Sequence, residues 1–210
     1  FGLTGQACTA TSRAIVEKSV VEEFTAKLVA KAKAIKVGNG AAEGVNMGPA
    51  VNKQEFEGNL EYIKIAQEEG ATVVCGGNAL TEGDLAHGYY MEPTVIGGVT
   101  PNMRIAQEEV FGPVVSVIAV EDFEEAIAVA NQVEFGLSAS LVTRDYKKAM
   151  LYTNRIEAGV VKVNQISTGL ALNVPFGGVK HSSSDSFKEQ GPGAIDFYTK
   201  IKTVYLDYSA

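Results

Sequence analysis

The chain has 210 residues, of which 46% are hydrophobic, and a formal net charge of −7. That length supports one domain with a sizeable core, and the composition excludes disordered, fibrous and disulfide-framework classes. The negative charge argues against a phosphate backbone or an anionic membrane as the main partner, and no apolar run reaches bilayer-spanning length.

The chain opens on Phe1-Gly2-Leu3-Thr4, without an initiator Met or a basic leader, and we expect it to be a piece of a longer protein. Gly5-Gln6-Ala7-Cys8-Thr9-Ala10-Thr11-Ser12-Arg13 then places one cysteine among small residues on a tight turn. Small neighbours leave a sulfur open to an incoming molecule, and adjacent backbone N–H groups can stabilise a thiolate or an oxyanion. A buried structural thiol is the alternative, because free cysteine packs as a small hydrophobe. The second cysteine, Cys75, lies far off in a different context. A disulfide framework is therefore not expected, and a reducing cytoplasm is.

Ala14-Ile15-Val16 is a short β-branched run expected to form a buried strand. Residues 22–35 have helical spacing, with Phe24, Leu28, Val29 and Ala32 on one side. Gly38-Asn39-Gly40 ends that helix, and a loop follows to residue 50. A second amphipathic helix is expected over 52–69, carrying Phe56, Leu60, Ile63 and Ile65, with Gly70 closing it. Residues 71–75 predict a strand with Cys75 in its apolar run. Residues 78–88 predict a polar surface loop; its His87 lacks neighbours at ligand spacing, so no metal is expected there. Glu92-Pro93 breaks the apolar stretch 89–99, because proline is tolerated only at a sheet edge or a strand start.

A short helical piece at 105–109 is stopped by Val110-Phe111-Gly112-Pro113. Beyond it the pattern is regular: a strand at 114–120, a helix at 122–132 capped by Asp122, a strand at 137–142, a helix from Asp145 to about 156, and a strand at 159–163. Alternating β-α-β-α-β with strands expected to be buried and non-alternating implies an α/β fold with a parallel sheet and right-handed crossovers. Ligands in such sheets gather beyond the strands' carboxyl ends, which points to the segments after Val120, Val142 and Val163. Residues 164–186 are mostly loop, a helix is expected over 187–197 with Pro192 and Gly193 interrupting it, and 202–208 alternates like a strand. That last strand either closes its own sheet or adds to another subunit's.

Other constellations are weaker. Glu108-Glu109 is either an acid–base pair or a solvated helix face. His181 beside Ser182 makes no triad by adjacency, and Gly97-Gly98 and Gly177-Gly178 lack dinucleotide-loop spacing.

Six segments in register resemble the catalytic domain of the aldehyde dehydrogenase superfamily. They are Gly5-Gln6-Ala7-Cys8-Thr9-Ala10 before Ser12-Arg13; Val37-Gly38-Asn39 with Met47-Gly48-Pro49; Glu108-Glu109-Val110-Phe111-Gly112-Pro113-Val114; Phe135-Gly136-Leu137-Ser138-Ala139; Ala158-Gly159 leading to Val163-Asn164; and Pro175-Phe176-Gly177-Gly178-Val179-Lys180. The resemblance implies an α/β three-layer sandwich with a mostly parallel sheet, divided into a catalytic domain over 1–198 and an oligomerisation strand over 199–210. It implies that Cys8 attacks an aldehyde to form a thiohemiacetal, with hydride passing to NAD or NADP and water cleaving the thioester. It further implies that Glu109 binds the nicotinamide-side ribose with Phe111 beside it, and that Gln6, Ser167, Thr168, Gly169, Leu170 and Phe176 form the aldehyde pocket. No metal, nucleic acid or membrane enters, and a homodimer or homotetramer in the cytoplasm is implied.

The departures are specific. The family's cofactor loop, general base and oxyanion-hole asparagine lie upstream of the cysteine, so the isolated chain is expected to be inactive. Glu55 and Gly58 stand where relatives often offer Gln and Lys, Lys162 stands where Trp is usual, and Phe187-Lys188-Glu189-Gln190-Gly191 replaces Gly-Arg-Glu-Leu-Gly. With Thr4-Gly5-Gln6 and Thr168-Gly169-Leu170, these features are most similar to the subgroup oxidising α-ketoglutarate semialdehyde (2,5-dioxopentanoate). A CoA-acylating relative and a non-catalytic scaffold of the same fold are the alternatives.

Overall fold

A computed structural model describes residues 1–184 and 188–209. Its centre is a four-stranded sheet built from β1 (Arg13–Glu17), β2 (Thr72–Cys75), β3 (Thr94–Gly97) and β4 (Val114–Val120), in the order β1-β4-β3-β2. β1 and β3 both run parallel to β4, with Ile15 opposite Ile118 and Val95 opposite Val115, while β2 is antiparallel to β3.

Strand side chains alternate between faces, and here both faces are apolar. On one face Val16, Val95 and Val117 pack with Leu28, Val29 and Ala32 of α1 (Val21–Lys33). On the other, Ile96, Val114, Ile118 and Val120 pack with Ile63 and Ala66 of α2 (Lys53–Glu68) and Val129 of α4 (Phe123–Asn131). Helix, sheet, helix: three layers.

The caps follow from residue type. Asn52 accepts the Glu55 N–H at the start of α2, and Asp122 accepts the Glu125 N–H at the start of α4. At the end of α2, Gly70 takes φ +100°, its N–H donates to Gln67 O and Ala71 N–H donates to Ala66 O, so two otherwise unpaired carbonyls are satisfied. α3 is a single short turn (Arg104–Gln107) leading into the Glu108-Glu109 pair.

Several expectations need correction. The strand broken by Pro93 is not at an edge: β3 starts immediately after the proline and lies inside the sheet, so only the strand-start alternative applies. Cys75 is half-buried on β2, the edge strand, and only packs against the core. β6 (Ser138–Leu141) and β7 (Val160–Val163) do pair in parallel around α5 (Tyr146–Arg155), capped as expected by Asp145. However, they form a separate two-stranded sheet, not joined to β4, and none of their residues is fully buried. β5 (Phe135–Gly136) pairs instead with β8 (Val179–Lys180), a strand inside the stretch expected to be loop.

The late helix, α6, spans Gly191–Tyr198, with Pro192 in its first turn, where a missing N–H costs nothing. The proline opens this helix and does not interrupt it; Phe187 lies outside the described residues. Residues 199–209 join no sheet among the described residues, so the alternating segment does not close its own. It leaves Ile201, Val204, Tyr205, Leu206 and Tyr208 exposed. No helix of the described residues is long and apolar enough to cross a membrane.

Candidate active site

Just before β1, Ala10 N–H donates to Ala7 O at 2.8 Å, closing a turn that holds Cys8. Thr9 faces inward and is buried, while Cys8 faces out and is exposed. Among the described residues the Cys8 N–H has no hydrogen-bond acceptor, which leaves a backbone donor beside the sulfur.

The turn sits directly on the loop that follows α3. Gly5, at φ +70°, lies so close to Gly112 that a Cβ there would come within 2.0 Å of the Gly112 carbonyl oxygen. Gly112 in turn lies against the buried side chain of Asn59, whose amide nitrogen and oxygen have no hydrogen-bond partner among the described residues. Thr94 N–H donates to Pro113 O at 2.8 Å, which carries the β3–β4 pairing back to Pro113, and Val114 N–H donates to Gly112 O at 2.8 Å within the loop's own tight turn.

Cys8, Glu109, Phe111 and Ser167 line one cleft of about 540 Å³, together with residues of β1, α4 and β6. The two carboxylates of the Glu108-Glu109 pair part company here. Glu108 receives a two-pronged contact from Arg104, at 2.8 Å to each oxygen, and a 2.7 Å bond from the Tyr62 hydroxyl. These donors hold its carboxyl down to about 2, and the same contacts raise Arg104 and Tyr62. Glu109 points into solvent at the cleft, with no side-chain partner among the described residues. Phe111 adopts φ +54°, an uncommon backbone state for a residue with a β-carbon.

The other expected site residues fall elsewhere. Gln6 is spent on the backbone: its amide donates to Leu3 O and Pro49 O and accepts the Val51 N–H at 2.7 Å. Thr168, Gly169, Leu170 and Phe176 do not line this cleft. Thr168 and Gly169 are held through their carbonyls by the Lys162 ammonium, and Phe176 exchanges two backbone bonds with Glu189, at 2.6 and 2.7 Å. His181, not expected in a site, does line the cleft and lies 3.3 Å from Glu134. The tie between Arg104 and Glu108 was missed as well, although their i, i+4 spacing on a helical turn was visible. No group of three or more potential metal ligands occurs among the described residues.

Comparison with known proteins places these features in context. The aldehyde dehydrogenase family model matches residues 1–204. The α-ketoglutarate semialdehyde dehydrogenase of Haloferax volcanii is 55% identical over 209 residues, covering 99% of this chain and 43% of that protein. The α-ketoglutaric semialdehyde dehydrogenase of Bacillus subtilis is 46% identical over 206 residues, covering 98% and 42%. HpcC from Thermus thermophilus superposes with a TM-score of 0.90 at 36% identity, covering 100% of this chain and 42% of its own. Betaine aldehyde dehydrogenase from Staphylococcus aureus, solved with NAD+, gives 0.88 at 36% identity, covering 93% and 38%. The chain thus spans about two-fifths of the length of the relatives it matches.

Proposed function

From the premise that this chain belongs to the aldehyde dehydrogenase family, we propose that it supplies the nucleophile and part of the cofactor site of an NAD(P)-dependent aldehyde dehydrogenase. The observation that carries this is the convergence of Cys8, Glu109 and Phe111 on one cleft. Residues 1–198 would be the catalytic domain and 199–210 an oligomerisation strand.

In this scheme the Cys8 sulfur, as thiolate, adds to the aldehyde carbon and the Cys8 N–H meets the developing oxyanion. Loss of hydride from that carbon, with the nicotinamide as acceptor when bound, leaves a thioester that water cleaves to the carboxylate and free thiol. The free Glu109 carboxylate suits a ribose, since it can accept two hydroxyl donors, and Phe111 offers an apolar wall beside it. Glu108, already saturated by Arg104 and Tyr62, is unsuited to that task. The Haloferax and Bacillus relatives favour α-ketoglutarate semialdehyde as substrate. The exposed apolar side chains over 201–208 favour a homodimer or homotetramer, and two unpaired cysteines suit a cytoplasmic protein.

Cys8→Ser in the full-length protein is expected to lower the dehydrogenase rate on α-ketoglutarate semialdehyde by at least ~10³-fold with an unchanged circular dichroism spectrum. A thiol reagent should label Cys8 well ahead of Cys75 in the native wild type. Retained activity in the serine variant would overturn the assignment.

A further inference from the structure

The geometry points to Ser167 as a positioning residue for the nucleophile's turn, a hydroxyl bridge from the loop after β7 to the backbone next to Cys8. This deepens the function just proposed and rests on Cys8 being the nucleophile.

After β7 the chain doubles back along β6. Asn164 N–H donates to Leu141 O at 2.8 Å, the Ser140 hydroxyl donates to Gln165 O, and the Ser138 hydroxyl donates to Ser167 O at 3.1 Å. Ser138 and Ser140 are two residues apart on a strand, so both hydroxyls leave the same face and meet alternate carbonyls of the returning segment. That places residues 165–167 in register over β6.

The far end of the segment reaches the nucleophile's turn. Ser167 Oγ lies 2.8 Å from Thr9 O and 2.8 Å from Thr11 Oγ1. A carbonyl can only accept, and serine has one hydroxyl proton, so Ser167 donates to Thr9 and the Thr11 hydroxyl donates to Ser167. Thr9 is the buried anchor of the turn and is bonded directly to Cys8 in the chain. Ser167 thus braces the turn from the cleft side, and its single hydroxyl proton is committed before any aldehyde arrives. With that proton held by Thr9 O, the hydroxyl has none to offer an aldehyde oxygen; its effect on catalysis passes through the placement of Cys8.

The two roles separate kinetically. Loss of a substrate contact raises KM, whereas a misplaced nucleophile lowers kcat at nearly constant KM. In the full-length protein, Ser167→Ala is expected to lower kcat by roughly 10-fold or more with KM for the aldehyde within about 2-fold. The rate of Cys8 alkylation by iodoacetamide, without cofactor, should change by at least about 3-fold, and Ser167→Thr, which keeps the hydroxyl, should restore both rates. A raised KM with kcat and alkylation unchanged, or a folded threonine variant as impaired as the alanine one, would overturn the proposal. Should Ser167→Ala fail to fold, Thr11→Val removes only the donor to Ser167; it should shift kcat and alkylation the same way, and no shift would equally overturn it. Retained activity in Cys8→Ser would sink the nucleophile assignment itself, separately from the alkylation difference between Ser167 variants.

Discussion

The four-stranded sheet and the β6–β7 pair both contain parallel strand pairs but end in different states. In the first, Val95, Ile96 and Ile118 are 0% exposed, closed in by α1 on one face and by α2 and α4 on the other. In the second, every residue of both strands is partly exposed, and beyond it Ile166, Leu172 and Ile201 lie open. The difference is one of covering and of residue type: β6–β7 has Phe123, Ile127 and Tyr152 against one face, while Ser138, Ser140 and Lys162 on the other meet, among the described residues, only the carbonyls of the returning segment 165–169. The candidate site lies along the seam between the two regions, with the Cys8 turn and Glu109 from the closed side and Ser167 from the open one.

The contrast can be broken by stability measurements. Ile118→Ala should cost about 2–5 kcal/mol, since it removes a wholly buried side chain from a packed sheet. Val163→Ala, at a half-exposed site, should cost about 1 kcal/mol or less. Urea unfolding of the full-length variants checks both; equal losses would mean that the open sheet is covered in the whole protein.

The seam is probed next. Glu109→Gln keeps the shape but removes the charge that strengthens its acceptor bonds, so the KM for the nicotinamide cofactor should rise by roughly 5–10-fold with kcat little changed. An unchanged KM would detach Glu109 from the cofactor. The smallest effect belongs to Glu108. Its carboxyl is depressed, so the stabilisation from Arg104 and Tyr62 is fully present above the ordinary carboxylate range and is lost as pH falls toward about 2. Melting temperatures of wild type and Glu108→Gln should therefore differ slightly at neutral pH and converge in strong acid. A gap that persists near pH 2 would assign the effect to packing.

What could be read from the residues divides along the same seam. Local chemistry was legible: β-branched runs for β1 and β4, Asp122 and Asp145 as caps, Gly70 as a helix end. These depend on neighbours in sequence. The separation of β6–β7 from β4 was not legible, because a parallel β-α-β repeat has the same pattern whether or not its strands share a sheet. The difference between Glu108 and Glu109 was legible only in part: Arg104 stands at i, i+4 from Glu108 in the sequence, but nothing there shows Tyr62 reaching across from α2. The hydroxyls of Ser138, Ser140 and Ser167 carried no signal of their own, since serine is common in loops and only the fold brings these three together.

The contact of Gly5 with Gly112 has a dynamic consequence. Backbone pressed on backbone leaves no side chain to absorb a displacement, and the Gly112 carbonyl is hydrogen-bonded to the first residue of β4. A shift of the backbone of the Cys8 turn is therefore passed to the backbone of the Glu109–Phe111 loop, and the reverse. The sheet acts as a common ruler for both groups, and any side chain at position 5 would set that ruler wrong for the two at once.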